Sequence, residues 1–169
     1  MRLFFAISVK DSARLWAHLV NCGPGLAAAG YRAVPKENLH LTLNFIGEAD
    51  PSLVERLISR ALGVAVRPFT MTIASPVMGL PDMRNPRVLA YRAVDTGGQL
   101  ATLSRVLGNT GAGGLLPHVT VARAKQPLGM PQLPDLPPIE IQVTSFCLMN
   151  SELRQQGALH SVIEQFTLS

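Results

Sequence analysis

The sequence predicts an α+β fold with two lobes of antiparallel sheet, helices on the outside and a central cleft. The first observation is a repeat: the segment His40-Leu41-Thr42-Leu43, here called the first tetrad, returns as the second tetrad, His118-Val119-Thr120-Val121. A turn containing proline introduces each tetrad, at comparable points of the two halves. The second observation is that strand and helix patterns mix hairpins with crossovers, which is typical of α+β proteins. We therefore expect two pseudo-symmetric lobes that bring the tetrads together.

The first half of the chain begins with a strand and a helix. Residues 2–9 are rich in Phe, Ile and Val and alternate imperfectly, which predicts a strand. A helix is expected from Asp11-Ser12 to a break at the Gly23-Pro24-Gly25 segment, after which residues 26–29 could resume it. After the strand of the first tetrad, Asp50-Pro51 predicts a second helix, because a capping carboxylate followed by proline is a helix-start signal. Gly63 is expected to end it.

The second half combines further strands with one helix. A loop rich in Pro and Gly is expected at 76–86, and five prolines mark an extended loop at 127–138. Thr96 and Gln99 have the spacing of a capping box and predict a third helix that closes at Gly108. Besides the strand of the second tetrad, strands are predicted at about 68–74, 87–94, 139–149 and 159–168.

Length and composition indicate a single globular domain, residues 1–169, with two internal lobes. Hydrophobic residues make up 47% of the chain and charged residues 15%, which excludes global disorder. The net charge is +4, the pI is near 9.6, and 12 of the 15 basic residues are arginines, whose planar groups match phosphate oxygens. The arginines are scattered along the sequence. Charge alone therefore supports two interpretations equally: a protein with an anionic partner, and a protein that is basic in composition but has no such partner.

Several classes of protein do not fit this sequence. Cys22 and Cys147 make neither a disulfide framework nor a metal-binding spacing, and we expect buried thiols. The apolar run at residues 3–7 is too short for a signal sequence, and no stretch approaches the ~20 apolar residues of a membrane span. We expect a cytoplasmic monomer without a membrane partner, and with neither a metal nor another cofactor.

The two tetrads carry the chemistry. Side chains two apart on a strand share a face, so His40 points with Thr42, and His118 points with Thr120. Imidazole exchanges protons near neutral pH, and two of them can divide the roles of general acid and general base. Such a pair suits a cyclic phosphodiester, in which water attacks on one side and a sugar oxygen leaves on the other. The threonine hydroxyls could donate to the non-bridging oxygens.

The remaining histidines and one aromatic residue have structural interpretations. His18 and His160 lack a threonine two positions on, and we expect both to be structural. Phe45 lies at an odd offset from His40, where core packing is favoured over stacking on a base.

Three arginines are candidates for further substrate ligands. Arg123 follows the second tetrad and could reach a phosphate, although its odd offset from His118 places it on the opposite face unless the strand ends or bulges. A role in closing the strand edge is equally compatible with its position. Arg84 and Arg87 flank a turn, where solvated loop charge is favoured over an RNA path.

Four segments together resemble a known family. They are residues 1–7 (MRLFFAI), 34–48 (VPKENLHLTLNFIGE), 117–123 (PHVTVAR) and 151–153 (SEL). Their order and the paired His-x-Thr-x tetrads are similar to those of the 2H phosphoesterase superfamily, and within it to the RNA 2′,3′-cyclic phosphodiesterases, also called 2′-5′ RNA ligases. The resemblance implies a bilobal fold, no metal, and hydrolysis of an RNA 2′,3′-cyclic phosphate to a 2′-phosphate.

The resemblance also implies roles and substrates. His40 would donate a proton to the leaving 3′ oxygen, and His118 would accept the proton of water. The substrates would be RNA ends or tRNA fragments with a 2′,3′-cyclic phosphate, or small cyclic nucleotides. Two departures from the family pattern bear on the substrate. Gly113-Gly114-Leu115-Leu116 replaces basic and aromatic residues of many relatives, which favours small nucleotides or short RNA ends as substrates. His160 replaces a late aromatic residue.

Two other functions are compatible with the same motifs. A nucleotide-binding regulatory module would use the cleft without turnover, although binding alone does not need both imidazoles. A 2′-5′ RNA ligase would run the same chemistry in reverse, and the tetrads do not distinguish the directions.

Overall fold

The computed structural model describes residues 1–169, which form nine strands, three α-helices and one 3₁₀ turn. The helices are α1 (Ala13–Ala28), α2 (Leu53–Leu62) and α3 (Gln99–Val106), and the 3₁₀ turn is Lys36–Asn38. The strands are β1 (Arg2–Ser8), β2 (Arg32–Ala33), β3 (His40–Glu48), β4 (Phe69–Leu80), β5 (Val88–Val94), β6 (His118–Arg123), β7 (Ile139–Val143), β8 (Ser145–Arg154) and β9 (Gly157–Thr167).

The strands form one antiparallel sheet with the order β7-β4-β5-β6-β3-β1-β8-β9, and the short β2 pairs with β6. Its two halves, β7-β4-β5-β6 and β3-β1-β8-β9, meet only where β3 and β6 pair, at Leu41 and Val119. Each half contains one tetrad strand at the junction. The α+β class with two lobes of antiparallel sheet is therefore confirmed, and the lobes are joined edge to edge at the tetrads.

The helices pack against this sheet and close one apolar core that runs through both halves. Helix α1 buries Leu15, Leu19, Cys22 and Leu26, and its His18 Nε2 lies 2.9 Å from the Tyr91 hydroxyl of β5. Helix α3 follows β5 in the chain but contacts β3 of the other half, and α2 contacts β9. Because helix α3 crosses between the halves, the core is continuous. Both cysteines are free and buried, as expected.

The expected start of α1 at Ser12 and the expected end of α2 at Gly63 are confirmed, whereas three other helix expectations differ from the structure. Helix α1 continues through Gly23-Pro24-Gly25 to Ala28, because Leu26 completes its buried stripe and tertiary packing outweighs the weak local preference. The predicted capping box of α3 is absent. The Asp95 carboxylate accepts the Gln99 N–H instead, and Thr96 caps nothing. At α2, the Asp50 carboxylate accepts the Ser52 N–H, and the regular helix begins two residues after Pro51.

Two of the expected strand assignments are also wrong. Strand β4 continues to Leu80 through the Pro- and Gly-containing stretch predicted as a loop, because the pairing with β5 resumes at Val77 after an irregularity. The strand expected at 139–149 is two strands, separated at Thr144, which lie at distant positions of the sheet: β7 pairs with β4, and β8 pairs with β1. Apolar residues alternate in 139–143 but form an unbroken run at 146–149, and this change of pattern marks the division.

Candidate active site

The junction of the two halves places the tetrads side by side. Strands β3 and β6 run antiparallel and pair at Leu41 and Val119. Extending this register by one residue each way puts the histidine of each tetrad opposite the threonine of the other. The apolar residues of both tetrads are buried, so the histidines and threonines share the opposite, concave face of the sheet. The two imidazoles and the two hydroxyls therefore lie side by side on one face of the sheet.

Both imidazoles are held in the same way. The Nδ1–H of His40 donates to the carbonyl oxygen of Asn38, and the Nδ1–H of His118 donates to the carbonyl of Leu116, each at 2.7 Å. A carbonyl oxygen can only accept, so Nδ1 carries a proton in either charge state. Nε2 is therefore the atom that gains or loses a proton in both rings. The two turns that introduce the tetrads fix this arrangement, and the turn at Asn38 is tied down by its side-chain bond to the Ala158 carbonyl.

The surroundings of His40 keep its ring neutral at pH 7. Phe4 and His160 pack against it, with ring centroids 5.1 Å from that of His40 in both cases. Burial lowers the pKa of His40 to about 4, and the positive charges of His160, Arg123 and His118 act in the same direction. The bond to the Asn38 carbonyl opposes this shift without cancelling it. At neutral pH, Nε2 of His40 is consequently a hydrogen-bond acceptor.

His160 lies beside His40, a placement that the sequence reasoning missed, and its expected structural role stays a prediction. It lies on β9 opposite Ser151 and lines the same cavity as His40, with its ring at 82° to the His40 ring. Burial lowers the pKa of His160, and its Nδ1 is buried with no hydrogen-bond partner. The sequence carried one sign of this placement: His160 stands where relatives have a late aromatic residue, and its ring packs on His40 as an aromatic ring would.

Arg123 reaches the concave face through a bulge in β6. Across the β5–β6 pair, Ala90 lies opposite Thr120 and Leu89 lies opposite Ala122, so Val121 is an extra residue. The insertion reverses the alternation, and Val88 lies opposite Arg123 on the face that carries the second tetrad's histidine. Arg123 therefore lines the cavity. The odd offset in sequence does not exclude it, because the strand bulges.

Phe45 comes to the same face in the same way, so the expectation that it packs in the core is wrong. The pairing of β1 with β3 skips Leu43, and Phe45 lies opposite Phe4, which packs on His40. Phe45 is 54% exposed, and the centroid of its ring lies 5.1 Å from the Arg2 guanidinium. A solvent-accessible aromatic ring thus borders the tetrads.

One further cation near the tetrads was missed by the sequence reasoning. Arg92 of β5 lies directly opposite His118 and on its face, and its side chain is exposed. Only the strand register places it there, and no motif marks it. Arg84 lies in an exposed turn, with its N–H bonded to Asp82, and Arg87 bonds the Lys125 carbonyl. Neither lines the cavity.

Known proteins resemble this chain in sequence and in fold. An RNA 2′,3′-cyclic phosphodiesterase of Thermus thermophilus is 30% identical to this chain over 99% of its length and 90% of the relative's. The chain belongs to the LigT-like phosphoesterase family. The family model, described as LigT like Phosphoesterase, matches residues 13–89, which include the first tetrad. The predicted family, and with it the prediction of an enzyme of this class, is confirmed.

Solved structures of similar proteins have the same fold. A crystal structure of TT0787 from Thermus thermophilus superimposes with a TM-score of 0.84 at 29% identity, covering 99% of this chain and 98% of the other. E. coli LigT, solved in complex with NADP+, gives a TM-score of 0.81 at 24% identity over 99% and 97% of the two chains. This phosphoesterase therefore has the same overall fold as these two proteins.

The cleft of this phosphoesterase opens to one side of the tetrads. A cavity of about 1080 Å³ is lined by His40, Thr120, Arg123 and His160, and it continues towards β2 and the β8–β9 hairpin. The structure contains no group of three or more His, Cys, Asp or Glu side chains that could hold a metal ion. No helix has the length and apolarity that a membrane crossing requires.

Proposed function

We propose that this phosphoesterase hydrolyses RNA or nucleotide 2′,3′-cyclic phosphodiesters to 2′-phosphomonoesters with its two tetrad histidines and without a metal. The observation that carries the proposal is the pairing of β3 with β6, which sets the two tetrads side by side, with the Nδ1–H of each histidine donated to a carbonyl. The full-length similarity to an RNA 2′,3′-cyclic phosphodiesterase supports this choice of substrate among phosphodiesters.

The proposed reaction transfers one proton at each histidine. Nε2 of His118 takes a proton from water, whose oxygen forms the new bond to phosphorus. The bond from phosphorus to the 3′ oxygen breaks, and protonated Nε2 of His40 gives its proton to that oxygen. The product carries a 2′-phosphate and a free 3′-hydroxyl, and solvent returns the histidines to their initial charges. Each general acid or base step typically contributes ~10²–10⁴-fold to the rate.

The neighbouring groups stabilise the phosphate. The hydroxyls of Thr42 and Thr120 lie opposite the histidines and donate to the non-bridging oxygens as negative charge grows there. Arg123 supplies a guanidinium on the same face, and its planar donors match two oxygens of one phosphate. Arg92 adds positive charge beside His118.

The donor role of His40 requires its pKa to rise when substrate binds. In the free protein, burial and nearby cations hold that pKa at about 4, so the ring is neutral at pH 7. A phosphate anion next to Nε2 neutralises the cations and stabilises the charged imidazole, because an opposite charge within ~4–6 Å favours the ionised form. Substrate binding therefore causes His40 to take up the proton that it later donates to the leaving oxygen.

Hydrolysis of a 2′,3′-cyclic nucleotide by the wild type, His40→Ala and His118→Ala, with and without EDTA, tests the proposal. We expect turnover that survives chelation, falls at least ~10²-fold in each variant and gives the 2′-phosphate. Variant His18→Asn serves as the matched control, because His18 is half-buried against Tyr91 and does not line the cleft.

Other outcomes would contradict the proposal in distinct ways. Binding of the nucleotide without any turnover would favour a nucleotide-binding regulatory module. Activity that persists in both tetrad variants would exclude the two-histidine mechanism, and loss of activity with EDTA would exclude metal independence. The 2′-5′ ligase direction is tested by incubating RNA that ends in a 2′,3′-cyclic phosphate with a strand that carries a 5′-hydroxyl, and a joined product would reveal it.

A further inference from the structure

The cavity beside His40 continues as a cationic groove away from the tetrads. The groove lies between β2, the residues after β6 and the turn of the β8–β9 hairpin. Four cationic side chains line it, and no aspartate or glutamate does. They are Arg32, Arg123, Lys125 and Arg154. Three of the twelve arginines, distant from one another in the sequence, thus lie together in this groove.

Two of these arginines face each other with no acidic group between them. Arg32 of β2 lies directly opposite Arg123 of β6 in the antiparallel register. Like charges in this position destabilise a strand pair, and an anion between them removes the repulsion. Arg32 bonds only a carbonyl, that of Gln156 at 2.9 Å, which leaves most of its five N–H donors free.

The other two cations differ in how far they are already neutralised. Arg154 forms an ion pair with Glu152 at 3.1 Å. Lys125 lines the groove without an ion pair, and its carbonyl is held by the Arg87 side chain at 2.8 Å. Arg32 and Lys125 are therefore the cations beyond the tetrads that remain free for a ligand.

We infer that this groove binds the sugar-phosphate backbone of an RNA chain on the 5′ side of its terminal nucleotide. The inference rests on the proposed function, which places a terminal 2′,3′-cyclic phosphate at the tetrads. Such a phosphate closes the 3′ end, so every other phosphate of the chain lies on its 5′ side. A row of cations on one side of the histidines matches that one-sided chain.

The lining of the groove also predicts how it recognises the chain. Apart from His40 and His160, no aromatic side chain lines it, so bases beyond the terminal nucleotide have no ring on which to stack. The polar groups present are the cations and amides such as Gln126, Gln155 and Gln156, which suit phosphate and ribose oxygens. Recognition of the chain is consequently independent of sequence.

The test compares two substrates, 2′,3′-cyclic AMP and a tetranucleotide RNA that ends in a 2′,3′-cyclic phosphate. For the wild type, kcat/KM is higher for the tetranucleotide. In Arg32→Gln/Lys125→Gln we expect the ratio of the two kcat/KM values to fall at least ~10-fold, and the log–log slope of tetranucleotide binding against salt to fall by about 1.4, since each phosphate contact on a single strand contributes ~0.7.

The matched control is Arg67→Gln/Arg105→Gln, which removes the same charge from exposed positions outside the groove. It keeps the wild-type ratio. A control that lowers the ratio as much, or a groove variant that keeps it, overturns the inference. Replacing Arg32 also removes its hydrogen bond to the turn of the β8–β9 hairpin. The single variant Lys125→Gln keeps that bond, so it separates the loss of a cation in the groove from a loosened hairpin.

A binding arm separates this inference from the proposed function. A labelled tetranucleotide ending in a 2′-phosphate is titrated by fluorescence anisotropy, which needs no turnover. If the groove variant binds the tetranucleotide more weakly than the wild type does, but the wild type hydrolyses neither substrate, the proposed function is overturned and the groove inference is supported. If the wild type hydrolyses both substrates, but the wild type and the groove variant bind the tetranucleotide equally well, the proposed function is supported and the groove inference is overturned.

Discussion

At the residue scale, two histidines in nearly identical tetrads have different surroundings. Both imidazoles donate Nδ1–H to the carbonyl two residues earlier. His40 alone is packed between Phe4 and His160, which come from other strands of its half of the sheet. Local sequence fixes the tautomer, and distant residues set the proton affinity. The near-symmetry of the tetrads therefore does not extend to their chemistry.

The first prediction is a titration of His40 by NMR. In the free protein its Hε1 resonance should titrate at about pH 4, and addition of 2′-AMP should raise that midpoint by at least about one pH unit. Between the two midpoints the complex binds one proton more than the free protein. Phosphate affinity should therefore increase as the pH falls from the upper midpoint towards the lower one.

Variant His40→Gln identifies the resonance and removes the titration, so it serves as the control. A free protein in which His40 titrates at the ordinary histidine value, or a midpoint that 2′-AMP leaves in place, would contradict the proposed proton donor. Variant Arg123→Gln should raise the free midpoint, since it removes one of the cations that lower the pKa of His40.

At the scale of the element, bulges decide which side chains reach the site. Simple alternation would place Arg123 and Phe45 away from the histidines. One extra residue in β6, and one in β3 between Thr42 and Phe45, bring both to the concave face. The tetrads themselves alternate regularly, so their histidines and threonines were predictable as a set. Bulges depend on pairing with β5 and β1, which are distant in sequence.

The second prediction concerns the N-terminus of α3. The Asp95 carboxylate accepts the Gln99 N–H, whereas Thr96 makes no such bond. Asp95→Ala should lower the free energy of unfolding by about 0.5–2 kcal/mol, as loss of a cap does. Urea denaturation monitored by circular dichroism measures this effect.

Thr96→Ala is the matched control for that measurement. Thr96 caps nothing, and its replacement should change the free energy of unfolding by less than about 0.5 kcal/mol. A larger cost for Thr96→Ala than for Asp95→Ala would restore the capping box that the sequence spacing indicated.

At the scale of the whole molecule, the two lobes share one core. The largest apolar cluster contains Leu3 and Phe146 of one half of the sheet and Ile73 and Tyr91 of the other. The strands connect the halves at a single pair, so the packing of α3 on β3 and this cluster carry most of the coupling. We expect residues 1–169 to behave as one domain.

The third prediction follows from this shared core. Differential scanning calorimetry should show a single transition whose calorimetric and van't Hoff enthalpies agree, with ΔH of about 120 kcal/mol near 60 °C for a chain of this length. Two separate transitions, or a van't Hoff enthalpy near half the calorimetric value, would mean that the lobes unfold independently.

The class of fold, the two tetrads and the family were all readable from the amino-acid sequence. These depend on local properties: alternation puts His40 with Thr42 and His118 with Thr120, and the motifs occur in contiguous segments. The packing of His160 on His40 and the pairing of Arg32 with Arg123 emerge only in three dimensions. Those contacts join residues that are far apart in the chain, through register and bulges that no single segment encodes. The chemistry is therefore determined locally, whereas the shape and charge of the cleft come from long-range pairing.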